Sequence, residues 1–392
     1  MLVHNFYGSA SPSGENVVLE NERKLLKENG FEVVEYFQRS DDYSIKNRIS
    51  LLFYVMQIPW NVVAYFKFRK LLKKSSPDVI HVHNTFPFIS PSILYACDDV
   101  PVVMTLHNYR LLCPAGIPMR GGKICVKCIE NRNVYSAIKY RCYRSSFIAS
   151  VVLGGLVSLH RAIKTWDKRV SKFIVLNEFQ KNVFVDAGFS AEKIAVKPNF
   201  CPSDSYRQFD EVGSRAESVA YVGRLSEEKG VLILIKAWEK MGEKAPQLDV
   251  YGDGPQREAL KCYVDSNNVQ NISFHGVVPN YMVIERLKTV KLVVVPSLWF
   301  EGFPMVLAES LSVATPLAVS NIGCLPEVVN MGKCGVVFEP GNVDSLVAGI
   351  NTFFGKSKFD LLSKNSRKAY VKYYSQEACF DSLRRIYGEV VT

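Results

Sequence analysis

Short β-rich runs followed by helical patterns recur along this 392-residue chain, and no other feature limits its fold so strongly. Strands alternating with helices make βαβ units, and βαβ units make parallel sheets. In the first half the strand-like runs are Leu2–Phe6, Phe31–Tyr36, Val79–His83, Val102–Leu106 and Lys172–Leu176. Between the first two, Glu15–Asn29 carries Val18, Leu25 and Leu26 at helical spacing, and Gly30 stops it. Asn177 is a predicted N-cap and Gly188 a predicted stop. The second half repeats the theme with Ser218–Val222, Leu248–Tyr251, Ile272–His275, Lys291–Val295, Leu317–Ser320 and Gly335–Phe338. A single core rarely grows to this size. Phe200–Ser218 is polar, broken by Pro and Gly and without period, so it reads as a linker. The expectation is an α/β protein of two doubly wound, Rossmann-like domains, residues 1–203 and 204–374, with a terminal helix in 375–392.

In such sheets ligands bind beyond the carboxyl ends of the strands. After Ser218–Val222 comes Gly223-Arg224, then Lys229-Gly230. Two cations at a strand tip and helix start suit a diphosphate, although an ordinary charged loop would look the same. After Lys291–Val295 comes WFEGFPMVLAESL, residues 299–311. Pro304 is placed for the first helical position, so Glu301 lies in the loop and Glu309 about two turns inside. The N–H groups of Gly302, Phe303, Met305 and Val306 are then helix-start donors for phosphate oxygens. Each carboxylate can accept from a pair of sugar hydroxyls. In isolation, Glu301 as a dipole partner and Glu309 as a solvated charge explain the same residues. In the first half, His107-Asn108-Tyr109-Arg110 follows a strand, and Ser9–Glu15 follows another, with Ser13 and Gly14 at the start of its helix.

Two familiar phosphate motifs are excluded. Gly252-Asp253-Gly254 would need glycine at 257 for a dinucleotide fingerprint, and Arg257 stands there. Gly122-Lys123 lacks both the leading glycine and the following Ser or Thr of a Walker loop.

Lys and Arg number 48 against 38 Asp and Glu, a formal charge of +10. That excess favours an anionic partner. No long Lys/Arg run is present, which argues against nucleic acid. The start lacks a basic segment followed by an apolar one, and the ten cysteines are scattered, so a reducing, cytoplasmic setting is expected. Ile49–Phe66 and Ser145–Leu159 are uncharged but short for membrane spans. The second reads as a buried helix. The first is either buried or, with Trp60, Tyr65, Phe66, Phe68 and the KFRKLLKK that follows, a helix lying on an anionic membrane face.

Cys113, Cys125, Cys128 and Cys142 fall in one segment with a single CxxC, after a Gly121-Gly122 turn. Four thiolates so placed are a candidate structural zinc site, or four unrelated thiols.

VGRLSEEKG (222–230), YGDGP (251–255), FHGVV (274–278), EGFPMVLAE (301–309) and NIGCLPEVV (321–329), in that order, resemble the retaining family 4 glycosyltransferases of the GT-B fold. HNFYGSASPSGE (4–15) and TLHNYRLLCPAG (105–116) are similar to the amino-terminal loops of members that build bacterial surface polysaccharides such as capsule and lipopolysaccharide. The resemblance covers nearly the whole chain. It implies two Rossmann-like domains facing a cleft, the last helix returning to the first domain, and a UDP- or GDP-linked sugar as donor. It implies that Arg224 and Lys229 neutralise the leaving diphosphate. Glu309 would hold the ribose, and Glu301 the hexose. Gly223, Gly254, Val277, Gly302, Phe303, Pro304, Met305 and Val306 would complete the donor site. His107 would lie by the reacting sugar, and Ser13, Gly14, Glu15, Asn108 and Tyr109 on the acceptor side. No metal is implied in the chemistry. Three features depart from the family: the first strand opens at Met1 itself, Cys324 replaces a usual glycine, and Asn199-Phe200 replaces Asn-Gly.

The expected activity is therefore transfer of a hexose-type sugar to a saccharide, lipid-linked and presented at the cytoplasmic membrane face. Two alternatives are a nucleotide-sugar-binding scaffold without turnover and a glycoside hydrolase using Glu301 and Glu309. The hydrolase needs its two acids flanking one bond, and it leaves Arg224 and Lys229 without a role.

Overall fold

Buried on both faces, the apolar runs do pair as parallel strands. The structure is a computed structural model and describes residues 1–8, 14–42, 54–202, 215–355 and 358–391. Ser13, the start of the Ile49–Phe66 stretch and most of the expected linker lie outside these residues. The chain divides into two compact units. One comprises 1–118, 125–198 and 380–392, and the other 119–124 and 199–379.

The first unit holds a six-stranded sheet in the order β2-β1-β3-β4-β7-β8. Its strands are β1 Leu2–Phe6, β2 Glu35–Arg39, β3 Ile80–Asn84, β4 Val102–Thr105, β7 Lys172–Val175 and β8 Ile194–Val196, all paired in parallel. A short antiparallel hairpin that belongs to the second unit, β5 Met119–Arg120 with β6 Lys123–Ile124, turns on Gly121-Gly122. Helix α1, Gly14–Glu28, lays Val18, Leu19, Leu25 and Leu26 inward. The terminal helix Gln376–Val391 completes this core: Leu383, Ile386 and Tyr387 pack with Leu2, Phe6, Leu19 and Ile174. Lys172 Nζ adds an ion pair to Glu389, 2.7 Å.

The second strand differs from the sequence reading. Phe31–Tyr36 has the β-rich composition, but the ladder runs over Glu35–Arg39, with Leu2 opposite Glu35. Phe31 instead sets its ring edge-on against Phe380 and Tyr387 of the terminal helix. Register depends on the partner strand, which local composition does not encode. The three-residue β8 is too short to announce itself.

The second unit's sheet runs β11-β10-β9-β12-β13-β14. Here β9 is Ala216–Val222, β10 Gln247–Tyr251, β11 Ile272–Gly276, β12 Val290–Val295, β13 Leu317–Ser320 and β14 Gly335–Phe338. Its core centres on Trp238, Leu234, Leu248, Val250, Leu292 and Leu346, all essentially inaccessible. The order reverses between β9 and β12. In the first unit it reverses between β1 and β3. A crevice opens at such a switch point, so the loops after β9 and β12, and after β1 and β3, are where ligand chemistry belongs.

Candidate active site

In the second unit the two loops at the switch point meet through charge. Lys229 closes a short 3-10 turn after β9, and Glu301 lies in the loop after β12. Lys229 Nζ donates to Glu301 Oε1 at 2.7 Å, and Ser297 Oγ donates to the same oxygen at 2.6 Å. Glu301 is only 4% exposed, so this cation and hydroxyl supply what water cannot. The loops are also joined by backbone: Leu298 N–H donates to Glu228 O at 2.8 Å. Gly230, at φ 70°, permits this approach, since a Cβ there would stand 1.9 Å from Pro296 O. Arg224, at the tip of the same loop, is exposed.

The helix after β12 is Met305–Ser312, with Pro304 as its N-cap rather than its first residue. Pro304 has ψ 127°, an extended value, so helical geometry begins one residue later than expected. Glu309 then sits just over one turn in, not two. The first N–H groups of the helix, at Met305 and Val306, have no partner carbonyl within it. Asn199 Nδ2 pins the loop by donating to Phe303 O at 3.2 Å. Glu309 is 6% exposed, and its Oε1 accepts from Asn280 Nδ2 at 2.7 Å. Burial pushes its pKa up, and the Asn280 hydrogen bond works against that rise. Asn280 and Ser297 are partners that sequence reasoning missed; both are small polar residues just beyond strands, which was the available signal.

Gly254 and Val277 are also expected on the donor side. A Cβ on Gly254 would lie 2.4 Å from Leu225 O, so glycine is demanded there by backbone packing. Val277 follows β11 and is 77% exposed, an apolar surface open to a flat partner. Cys324 is fully buried with Sγ 3.6 Å from Glu301 O, so the departure from glycine packs beneath the loop without removing a charge.

In the first unit, His107 follows β4 and Glu15 opens α1. Asn108 Nδ2 donates to Glu15 Oε1 at 2.7 Å, and Asn108 Oδ1 accepts from Arg110 N–H at 2.9 Å. Burial raises the Glu15 pKa, opposed by Asn108 and then Arg110. A cavity of about 50 Å³ lies among Glu15, His83, Asn84, His107, Asn108 and Arg110. Gly14 is exposed at the helix start. Tyr109 does not belong to this surface. It has 0% exposure and stacks on Phe184 with ring centroids 6.2 Å apart. As an acceptor-side residue it is corrected to core, because its ring packs inward against Phe184.

A larger cluster escaped the sequence reading. Glu22, on the inner face of α1, meets Lys197 Nζ at 2.5 Å. His81 Nδ1 and His83 Nε2 approach the carboxylate at 3.8 and 3.3 Å. His81 also contacts Tyr387 OH and Thr105 Oγ1, each at 2.7 Å. His83 Nδ1 lies 3.1 Å from His107 Nε2. Burial opposes ionisation of Glu22, but Lys197 and the two histidines outweigh it, leaving the pKa well below the usual carboxylate range. Burial, then neighbouring His83, holds His81 and His107 well below the ordinary histidine range. The signal was present: a charged residue on an apolar helix face, and the alternating histidines of VIHVH.

The four thiols of the candidate zinc site are not gathered. Among the described residues, only Glu22, His81 and His83 bring three metal-type ligand atoms within 4.8 Å of one another. There the Lys197 ammonium already occupies the cation's place. Cys113 is buried near Cys128 and Cys142, and burial pushes its thiol up to about 12.

The surface also revises two expectations. Phe68 is 0% exposed and packs against Tyr36, and Trp60 stacks on His160, so neither serves an outward membrane face. The helix Phe147–Ala162, expected to be buried, leaves Phe147, Ile148, Val151 and Leu159 exposed. No helix among the described residues is long and apolar enough to cross a membrane.

Residues 12–204 match the family model described as Glycosyltransferase Family 4, and residues 203–373 match Glycosyl transferases group 1. The 2-deoxystreptamine N-acetyl-D-glucosaminyltransferase of Niallia circulans is 24% identical over 70% of this chain and 66% of its own length, just under two thirds. The UDP-Gal:alpha-D-GlcNAc-diphosphoundecaprenol alpha-1,3-galactosyltransferase of Escherichia coli is 25% identical over 82% of this chain and 78% of its own. The Anabaena protein HepE, solved with UDP-glucose, has the same fold: TM-score 0.65, 17% identity, 99% of this chain and 100% of that one. With two family models spanning residues 12–373, the chain belongs to the family 4 glycosyltransferases of the GT-B fold.

Proposed function

We propose that the chain moves a hexose-type sugar, with retention, from a nucleoside diphosphate donor to a lipid-linked saccharide in surface polysaccharide synthesis. The observation that carries this is the pairing of Lys229 with Glu301 at the switch point of the second sheet, with Arg224 on the same loop as Lys229 and Glu309 on the helix that follows Glu301. Breaking the bond between the anomeric carbon and the phosphate oxygen places negative charge on the departing diphosphate. Fixed cations and helix-start N–H groups stabilise that charge where it forms, worth about 3 kcal/mol for a single well-placed donor. The acceptor oxygen bonds to the anomeric carbon on the face the phosphate leaves. Its proton passes to the departing phosphate oxygen. Glu309 accepts from the ribose hydroxyls and Glu301 from the hexose. His107 is assigned to the reacting sugar, and Glu15 with Asn108 to the acceptor.

The donor reading is supported by the UDP-glucose complex of HepE and the UDP-galactose named for the Escherichia coli relative. The lipid-linked acceptor is supported by the diphosphoundecaprenol in that same name. A peripheral position on the cytoplasmic membrane face is supported by the exposed Phe147, Ile148 and Val151, and by exposed Phe66 on the basic helix Val62–Ser75.

A panel of UDP- and GDP-sugars, measured for thermal shift and for turnover with a diphosphate-linked GlcNAc acceptor, tests the reading. A sugar nucleotide that raises the unfolding midpoint and is consumed supports it. Binding without consumption across acceptors would move the chain to the scaffold alternative.

A further inference from the structure

The cluster beneath His107 has an order to its hydrogen bonds that the proposed chemistry does not yet use. Glu22 is inaccessible, and so is its partner Lys197 at 1%. One buried anion faces one buried cation, so the Glu22–Lys197 pair is closed on itself. His81 lies 4.2 Å centroid to centroid from His83 and takes its own contacts from Tyr387 and Thr105. His4, 6.3 Å from His83, is tied to Asn16 Oδ1 through Nε2 at 3.0 Å.

That leaves one path for protons. Neither Glu22 Oε2 nor His83 Nε2 has another hydrogen-bond partner among the described residues, and they stand 3.3 Å apart. The approach is off the ideal direction, yet an ionised carboxylate can only accept. The proton of a neutral His83 therefore belongs on Nε2. Its Nδ1 is then a lone pair, and it faces His107 Nε2 at 3.1 Å. Two bare nitrogens cannot face each other, so His107 must carry its proton on Nε2. The rings stack at 23°, which holds this geometry.

We propose that Glu22, acting through His83 as a positioning residue, fixes His107 as the Nε2–H tautomer, so that His107 Nδ1 meets the reacting sugar only as a hydrogen-bond acceptor. The inference rests on the assignment of His107 to that sugar. Its substrate consequence is specific: the sugar must offer a hydroxyl that donates. A fluorine in that hydroxyl's place accepts but cannot donate, and is refused. The second nitrogen of a histidine commonly sets what the first can do.

The test reads the tautomer directly. The chain has six histidines, few enough to assign by long-range 1H–15N correlation on protein labelled with 15N-histidine. In the wild type, His107 is expected protonated on Nε2 and bare on Nδ1. His83→Phe keeps a stacked ring but removes the acceptor, and should release His107 into a mixture of tautomers. His83→Gln should restore the wild-type pattern, because its amide can donate to Glu22 through nitrogen and accept from His107 through oxygen. A purely structural role predicts the reverse order, with Phe the better packer. Glu22→Gln is the less safe variant, since it strands Lys197. A wild-type His107 carrying its proton on Nδ1, or a His83→Phe spectrum identical to wild type, would overturn the proposal. Neither readout needs a substrate, so failure of the transferase reading would show separately, as absent turnover in the wild type. With a donor in hand, His83→Phe should lower kcat about tenfold or more with little change in donor KM, and His83→Gln should recover most of it.

Discussion

Lys229 Nζ and Glu301 Oε1 lie 2.7 Å apart, so the cation proposed for a diphosphate and the carboxylate proposed for a hexose are each other's partners. The pairing keeps a 4%-exposed carboxylate satisfied and holds Lys229 at the helix edge. In the proposed mechanism a donor draws the ammonium toward its phosphates while its sugar hydroxyls take over the carboxylate.

Arg224 and Lys229 therefore separate in their effect on stability. Arg224→Ala removes an exposed charge and should leave the unfolding free energy within about 0.5 kcal/mol of wild type. Lys229→Ala strands Glu301 and should cost roughly 1–3 kcal/mol. Both should reduce transfer by about a hundredfold or more. Chemical denaturation beside initial-rate assays distinguishes the two; full activity in the double variant would refute the charge-neutralisation mechanism.

Glu309 is a carboxyl whose folded pKa is raised by burial. Between its unfolded value, about 4.3, and its folded value it takes up a proton on folding, and below the unfolded value its burial costs nothing. The cost appears as pH rises from there through the folded value. Glu309→Gln should thus be more stable than wild type at neutral pH and match it in acid. Donor affinity should follow the opposite course, strengthening as the carboxylate ionises, and should fall in the variant at neutral pH. Thermal melts and nucleotide titrations across pH check both signs.

Glu22 behaves in the contrary sense. Its folded pKa lies well below the usual range, so the stability it contributes is present above the unfolded value and is lost as pH falls through the folded one. Lys197→Met alone leaves a buried carboxylate unpaired and should cost about 3–5 kcal/mol. Replacing both, Glu22→Leu with Lys197→Met, should recover much of that loss. A double variant no better than the single one would show the pair does not act as a unit.

The exposed row Phe147, Ile148 and Val151 should matter only at a surface. Phe147→Ser with Ile148→Ser should leave the unfolding midpoint unchanged. It should weaken co-sedimentation with anionic phosphatidylglycerol vesicles several-fold, and added salt should weaken what remains. Unchanged vesicle binding in the double variant would remove this face from the membrane reading.

Sequence alone determined the sheets and the loops of the site. The βαβ alternation fixes parallel strands, and ligands gather beyond their carboxyl ends, so Arg224, Lys229, Glu301, Glu309 and His107 could be singled out by position. Composition could not determine register. That is why β2 runs over Glu35–Arg39, and why helical geometry starts at Met305 rather than nearer Phe303. Exposure was likewise out of reach: Tyr109 and Phe68 are core, while Phe147 and Ile148 face solvent. The deepest omission was pairing. Lys229 with Glu301 are 72 residues apart and Lys197 with Glu22 are 175 apart. Local propensity acts over a few residues, whereas a buried charge must find whichever counter-charge the folded sheet brings to it. WFEGFPMVLAESL could announce two carboxylates beyond a strand; only the tertiary structure decided that Glu301 pairs with Lys229 and Glu309 with Asn280.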